Sequence, residues 1–151
     1  MAISATQNAL ANGEVVAVKG IGGFHLACDA KNNSSLETLR KRKGRIDKPF
    51  AVMCRDLKTA ENFVEINQAE KAILTSKERP ILLLKKKANN LSELIAPNNQ
   101  FLGVMLPYSP LHYFEMVKKK WSKNCLCFLH FYSSIPSHIP SGFYSPSLNV
   151  T

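Results

Sequence analysis

Val15-Val16-Ala17-Val18-Lys19-Gly20-Ile21-Gly22-Gly23-Phe24-His25-Leu26-Ala27-Cys28-Asp29-Ala30 is the stretch from which the fold can be read. Residues 14–19 form a β-branched run and read as a strand with one buried face. Gly20, Gly22 and Gly23 then interrupt it. Three glycines this close together either let a ligand approach the backbone amides or simply make a tight turn. Residues 24–30 continue as extended chain. Next, Asn33 or Ser34 caps a helix whose Leu36 and Leu39 face the core. Its last turn carries Arg40, Lys41, Arg42 and Lys43, and Gly44 is a natural helix terminator. Cations there complement the helix dipole. The basic run, however, continues through Arg45 to Lys48 with Asp47 as its sole acid, more than a dipole requires. It is either a solvated charged face or, with the glycine loop, a site for a phosphate-bearing ligand.

The same grammar extends outward in both directions. Residues 4–12 read as a helix capped by Ser4 and ended by Gly13 in a left-handed turn. Residues 49–54 are a short apolar strand, and Asp56 caps a helix over 57–64. A second helix covers 67–76 with Ala69, Ala72 and Ile73 inward. Residues 80–84 make a strand that Lys85 to Lys87 return to solvent, and the polar segment 89–100, broken by Pro97, is mainly loop. Residues 102–106 are another strand. Pro107 to Pro110 form a turn, and Pro110 opens a helix to about Lys118. Strands alternating with helices make this an α/β domain.

Beyond Trp121 the composition shifts. The tail has no acid and one strongly basic residue, Lys123, and is rich in serine, proline and aromatics. A strand over 125–132 fits the residues, but 133–146 follow neither a helical nor a strand period. The expected organisation is a domain over 1–120 and an atypical tail over 121–151, read as a truncated or out-of-frame ending.

Composition sets the outer limits. The 151 residues are 45% hydrophobic and 21% charged, enough for one domain with a real core. A net charge of +9 and a pI of about 9.5 favour anionic partners, or else only a soluble basic surface. Cys28, Cys54, Cys125 and Cys127 include no C-x-x-C pair, so no metal site is expected, and isolated thiols suit a reducing compartment. The N-terminus is unlike a signal peptide, and no apolar run reaches the roughly 20 residues of a membrane span. The expectation is a cytoplasmic protein with no membrane partner.

Four ordered blocks together resemble the YrdC-like domain of the hydrogenase maturation carbamoyltransferases. They are Lys19 to Ala30; Leu39 to Arg45 with Lys48-Pro49-Phe50-Ala51-Val52-Met53; Arg79-Pro80-Ile81-Leu82-Leu83-Leu84; and Leu102-Gly103-Val104-Met105-Leu106-Pro107-Tyr108-Ser109-Pro110-Leu111-His112. The resemblance spans residues 4–117. It implies a twisted mixed β-sheet with flanking helices, and ATP bound by a Lys-x-Arg pair followed later by Ser-x-Asn. Lys43-Gly44-Arg45 matches the first pair. The related synthases of tRNA modification are rich in threonine where this chain has Gly20, Gly22 and Gly23, which points to the carbamoyl branch.

The implied chemistry is attack of a carbamate oxygen on the α-phosphate of ATP, giving carbamoyl-adenylate and pyrophosphate, with Mg2+ accompanying the nucleotide. Lys43 and Arg45 would neutralise the phosphates, joined by Lys19, Lys48 and the amides of Gly20, Gly22 and Gly23. His25 and His112 are acid/base or substrate-contact candidates, or else hydrogen-bonded structural histidines. The implied partners are the nucleotide, carbamate derived from carbamoyl phosphate, and a hydrogenase maturation protein.

The match departs at Ser-x-Asn. Ser122-Lys123-Asn124 and Ser147-Leu148-Asn149 fit the letters without the expected preceding strand. The acylphosphatase-like, zinc-binding and transferase segments of the full carbamoyltransferases have no counterpart here. The alternatives are a non-catalytic module for double-stranded RNA, suggested by the basic charge, and an inert fragment.

Overall fold

The computed structural model describes residues 2–20, 23–44, 47–109 and 125–130. A single six-stranded mixed sheet runs in the order β1-β2-β6-β3-β5-β4. Its strands are β1 (Val16–Gly20), β2 (Gly23–Asp29), β3 (Ala51–Cys54), β4 (Leu82–Lys85), β5 (Phe101–Met105) and β6 (Cys125–His130). β3 and β5 are parallel and every other neighbouring pair is antiparallel.

Glycine does not interrupt β1. The strand runs through Gly20, which pairs with Gly23 across a two-residue loop, so β1 and β2 form a tight hairpin. The strand expected after residue 124 is present as β6, and it lies at the centre of the sheet, bridging β2 and β3. Because β6 is antiparallel to both, β2 and β3 are parallel to each other. The intervening helix α2 (Asn33–Lys43) is therefore the crossover of a split β-α-β unit.

Two hydrophobic clusters cover the two faces. Alternation along each strand divides the side chains. One face carries Leu26, Cys28, Val52, Cys54, Leu84, Leu102 and Val104, packed by Leu36 and Leu39 of α2, Ala60 of α3 (Leu57–Ala60) and Leu74 of α4 (Gln68–Leu74). The other face carries Val16, Val18, Ala27, Met53 and Met105, covered by Ala9 and Leu10 of α1 (Ala2–Ala11) and by Tyr108.

Most local signals act as expected, with element bounds shifted by one to four residues. α1 begins before Ser4, so Ser4 lies inside the helix. Gly13 does end it, at φ +82. A Cβ there would stand 2.7 Å from Asn32 Nδ2, so this glycine is required by space as well as by φ. Asn32, one residue before the expected caps, accepts from the Ser35 amide at 3.1 Å and starts α2, and Ser35 Oγ donates to the Gly13 carbonyl at 2.6 Å. Gly44 closes α2 in the left-handed region. Asp56 caps α3 by accepting from the Thr59 amide at 2.7 Å, and hydrogen bonding with Thr59 holds its carboxyl below the usual range. α3 then gives way to turn after Ala60.

α4 differs from expectation in its inward face. Ala69, Ala72 and Ile73 are exposed, while Leu74 is fully buried and Glu70 and Lys71 are half-buried. A helix this short touches the core only at its end, where one leucine buries more apolar area than two alanines, and the stems of Glu70 and Lys71 cover the rest. The segment 89–100 is loop with one short 3-10 turn, Glu93–Ile95. Lys86 does not simply return to solvent, because its Nζ donates to the Ala96 carbonyl at 2.9 Å. The helix expected from Pro110 and the segment 131–151 lie outside the described residues, and no helix within them is long and apolar enough to cross a membrane.

Candidate functional site

The split crossover decides where the basic cluster sits. β2 and β3 run in the same direction, with Ala27 and Ala51 both opposite Phe128 of β6. Lys48, just before β3, therefore enters the sheet from the end at which β2 starts, which is also the end carrying the Gly20–Gly23 hairpin turn. α2 must traverse back to that end to make the connection.

Arg40 ties the two segments there together. It is only 8% exposed. Its Nε donates to the Leu94 carbonyl at 2.7 Å, one terminal nitrogen donates to the Lys48 carbonyl at 3.2 Å, and the other donates to the carbonyls of Leu94 and Ile95. The guanidinium also lies over the Phe50 ring, 4.5 Å from its centroid. Arg40 is thus set apart from the exposed basic run and is the clamp that holds the end of α2 against the entry to β3. The helical period marks it: Leu36, Leu39 and Arg40 stand at i, i+3 and i+4, the spacing of an inward stripe. Reading the run as one basic block hides that position. Lys41, Arg42 and Lys48 are exposed around the clamp, with exposed Asp47 the acid beside them. Fixed cations in this number suit the oxygens of a polyphosphate.

The remaining predicted residues divide as follows. Lys19 and Gly20 end β1, Gly23 opens β2, and Lys43 is the last residue of α2. With two residues between them, Gly20 and Gly23 form the pair that exchanges both backbone hydrogen bonds, so their amides are engaged with each other. Gly22, Arg45 and His112 lie outside the described residues.

His25 stands in β2, buried, and on the face opposite α2. Its Nε2 lies 3.3 Å from the Tyr108 hydroxyl, and Tyr108 in turn packs on the Val16, Val18 and Met105 cluster. Burial raises the Tyr108 phenol above its ordinary value, so it keeps its proton at neutral pH. The backbone of β2 also pairs His25 with His130 of β6, a position that sequence reading did not single out. Asp29, fully buried at the other end of β2, accepts from the Lys31 amide at 3.0 Å and shapes the turn into α2. Among the described residues no group of three metal-ligating side chains converges.

Comparison with known proteins gives consistent relatives. Residues 8–120 match the Sua5_yciO_yrdC family, whose description reads "Telomere recombination". The chain is 50% identical over 113 residues to carbamoyltransferase HypF2 of Cupriavidus necator, covering 74% of this chain and 14% of that protein. It is 44% identical over 115 residues to the probable carbamoyltransferase HypF of Methanocaldococcus jannaschii, covering 74% of this chain and 15% of the relative. The chain thus spans about a seventh of the length of the curated relatives it matches. Among solved structures, full-length HypF in the phosphate- and nucleotide-bound form superposes with a TM-score of 0.79 at 44% identity, over 83% of this chain and 16% of that one. Escherichia coli YciO shares the fold, with a TM-score of 0.69 at 17% identity, over 84% of this chain and 62% of its own. None of these relatives favours the double-stranded RNA alternative.

Proposed function

The chain belongs to the Sua5_yciO_yrdC family, and from that premise we propose that it is an ATP-binding, carbamoyl-adenylate-forming unit related to the HypF carbamoyltransferases of hydrogenase maturation. The observation that carries this reading is the 50% identity to Cupriavidus HypF2 over 113 residues. Two further observations support it. A relative of the same fold was solved with phosphate and nucleotide bound. The exposed cations at the end of α2 and at Lys48 make a field suited to a triphosphate.

In this reading Lys43 and Arg45, with Lys48, hold the phosphate oxygens of ATP, and Lys43 and Arg45 neutralise charge as pyrophosphate leaves. A carbamate oxygen attacks the α-phosphorus and pyrophosphate departs. Mg2+, carried in on the phosphate oxygens, would share that neutralisation. His25, on the other face, remains an acid/base or substrate-contact proposal, with Tyr108 setting its orientation. Transfer of the carbamoyl group to a maturation partner belongs to the remainder of the longer relatives.

Titration of ATP and Mg2+ into the full chain by calorimetry tests the reading. Lys43→Ala and Arg45→Ala are each expected to weaken nucleotide binding by about tenfold or more, the value of a charge-assisted phosphate contact. Nucleotide affinity indifferent to both substitutions, or salt-sensitive RNA binding without nucleotide binding, overturns it.

A further inference from the structure

β4 is the last strand of the sheet, and its outer side is only partly covered. One bond fixes the direction of every backbone group along it. The Lys86 amide donates to the Gln100 carbonyl at 2.8 Å, so residues 86, 84 and 82 turn their backbone groups toward β5. Residues 85, 83 and 81 turn theirs outward. The chain itself takes up part of that edge. The Glu65 amide donates to the Lys85 carbonyl at 2.9 Å, the Lys87 amide donates to the Phe63 carbonyl at 2.8 Å, and Val64 bridges Lys86. Asn67 then starts α4, and the covering segment leaves the edge. Among the described residues nothing bonds the outward amides and carbonyls of Ile81 and Leu83.

The side chains at this gap are apolar. Leu83 is 69% exposed and Ile81 50%, the two most exposed large hydrophobic residues described. Leu83 stands opposite Gly103, which has no side chain to cover it, and Ile81 shares that face. Leu82 turns to the other face and is half-buried on the larger cluster. The charges lie only at the two ends of the gap. Arg79, at φ +46, turns the chain off the strand line just before Pro80, and Glu65, 3.3 Å from the Lys85 ammonium, stands at the far end. An open edge of this kind, with no charge within it, is a template for another strand.

We propose that the 81–83 edge pairs with the same edge of a second copy of this chain, antiparallel about a two-fold axis. An axis through Leu82 sets Ile81 of each copy opposite Leu83 of the other. Each such pair exchanges both backbone bonds, so none of the outward groups at 81 and 83 is left over. Ile81 and Leu83 of the two copies form one apolar cluster on one face, and the two Leu82 side chains are cross-strand neighbours on the other. A Leu83-on-Leu83 register would instead bring Ile81 onto Lys85, whose carbonyl the Glu65 amide already holds. The two-fold also carries Arg79 of one copy to the Glu65 end of the other, so opposite charges meet at both ends. The edge is therefore its own complement in backbone, in apolar side chains and in end charge, which is what selects a second copy as the occupant. The contact is small and each copy carries +9, so the pairing is of the weak, transient class.

Sedimentation equilibrium of the full chain tests the association, in salt of about 0.15 M to screen the net charge. The expected result is a monomer–dimer equilibrium with a Kd on the order of 10–100 µM. Amide hydrogen exchange locates it. Between dilute chain and about 0.5 mM, the amides of 81 and 83 should slow about threefold to fivefold, while those of 82 and 84, already bonded to β5, stay the same. Leu83→Pro deletes an outward N–H and leaves the bonds to β5, so it should abolish the dimer in a folded chain. Leu83→Asp, a change at an exposed side chain, should do the same and decides the matter if the proline variant does not fold. A chain that stays monomeric, association that leaves exchange at 81 and 83 unchanged, or association that survives the substitution overturns the proposal. So does protection of those two amides at every concentration, which would show the edge to be held by another part of the chain or by a bound foreign peptide.

Discussion

Helices α2 and α4 pack on the same face of the sheet and start with the same residue type. Asn32 accepts from the Ser35 amide at 3.1 Å, and Asn67 accepts from the Glu70 amide at 2.9 Å. What holds each helix afterwards differs. α4 is stabilised locally: the Glu70 carboxylate accepts the Asn67 amide at 2.8 Å to complete a capping box, and Lys71 reaches Glu61 at 2.6 Å on the surface. It commits one residue, Leu74, to full burial. α2 is held by distant partners. Leu36 and Leu39 are fully buried, and Arg40 satisfies carbonyls of residues 48, 94 and 95. Equal start signals thus lead to unequal roles, and the helix that spans the split crossover is the one that positions the basic cluster.

The largest effect is expected at the clamp. Arg40→Ala leaves several backbone acceptors without their donor and should cost about 3–5 kcal/mol in urea unfolding, at about 1–3 kcal/mol for each buried group. Arg40→Lys should recover little of it, because a point charge cannot reproduce the fork. A cost below about 1 kcal/mol would break the contrast between the helices. An intermediate effect belongs to Asn67→Ala. It removes the side-chain arm of the capping box and leaves the residue-67 amide donating to Glu70, for about 1 kcal/mol, and hydrogen exchange should accelerate in α4 while α2 stays protected. Acceleration spreading equally to α2 would show the two helices to be one cooperative unit. The smallest effect is at Ile73, 46% exposed. Ile73→Ala should stay within about 0.5 kcal/mol, the range of surface substitutions. A core-sized loss there would restore the inward stripe expected from Ala69, Ala72 and Ile73.

Those residues mark where reading the chain succeeds and where it stops. Gly13, Gly44, Asp56, Leu36 and Leu39 take the roles their local chemistry suggests, because caps, left-handed terminators and a two-leucine stripe act within a turn or two. The basic run was legible as a cluster but not as a clamp with cations around it. Arg40 differs from Lys41 by 100° of helix rotation, and only the partners waiting at Leu94, Ile95 and Lys48 give that rotation meaning. His25 was legible as a candidate, but its side of the sheet was not. Strand alternation gives two faces, and only the packing of α1 and Tyr108 identifies which one His25 joins.

The amino-acid order alone determined the alternation of strands and helices, a turn at the glycines, the Gly13 and Gly44 terminators and the positive charge, none of which needs a partner far along the chain. Tertiary structure alone decided that β6 lies between β2 and β3 and that α2 is therefore a crossover. The physical reason is that backbone hydrogen bonding between strands is indifferent to sequence separation. Which strands become neighbours depends on the burial of whole faces, and no local stretch encodes that.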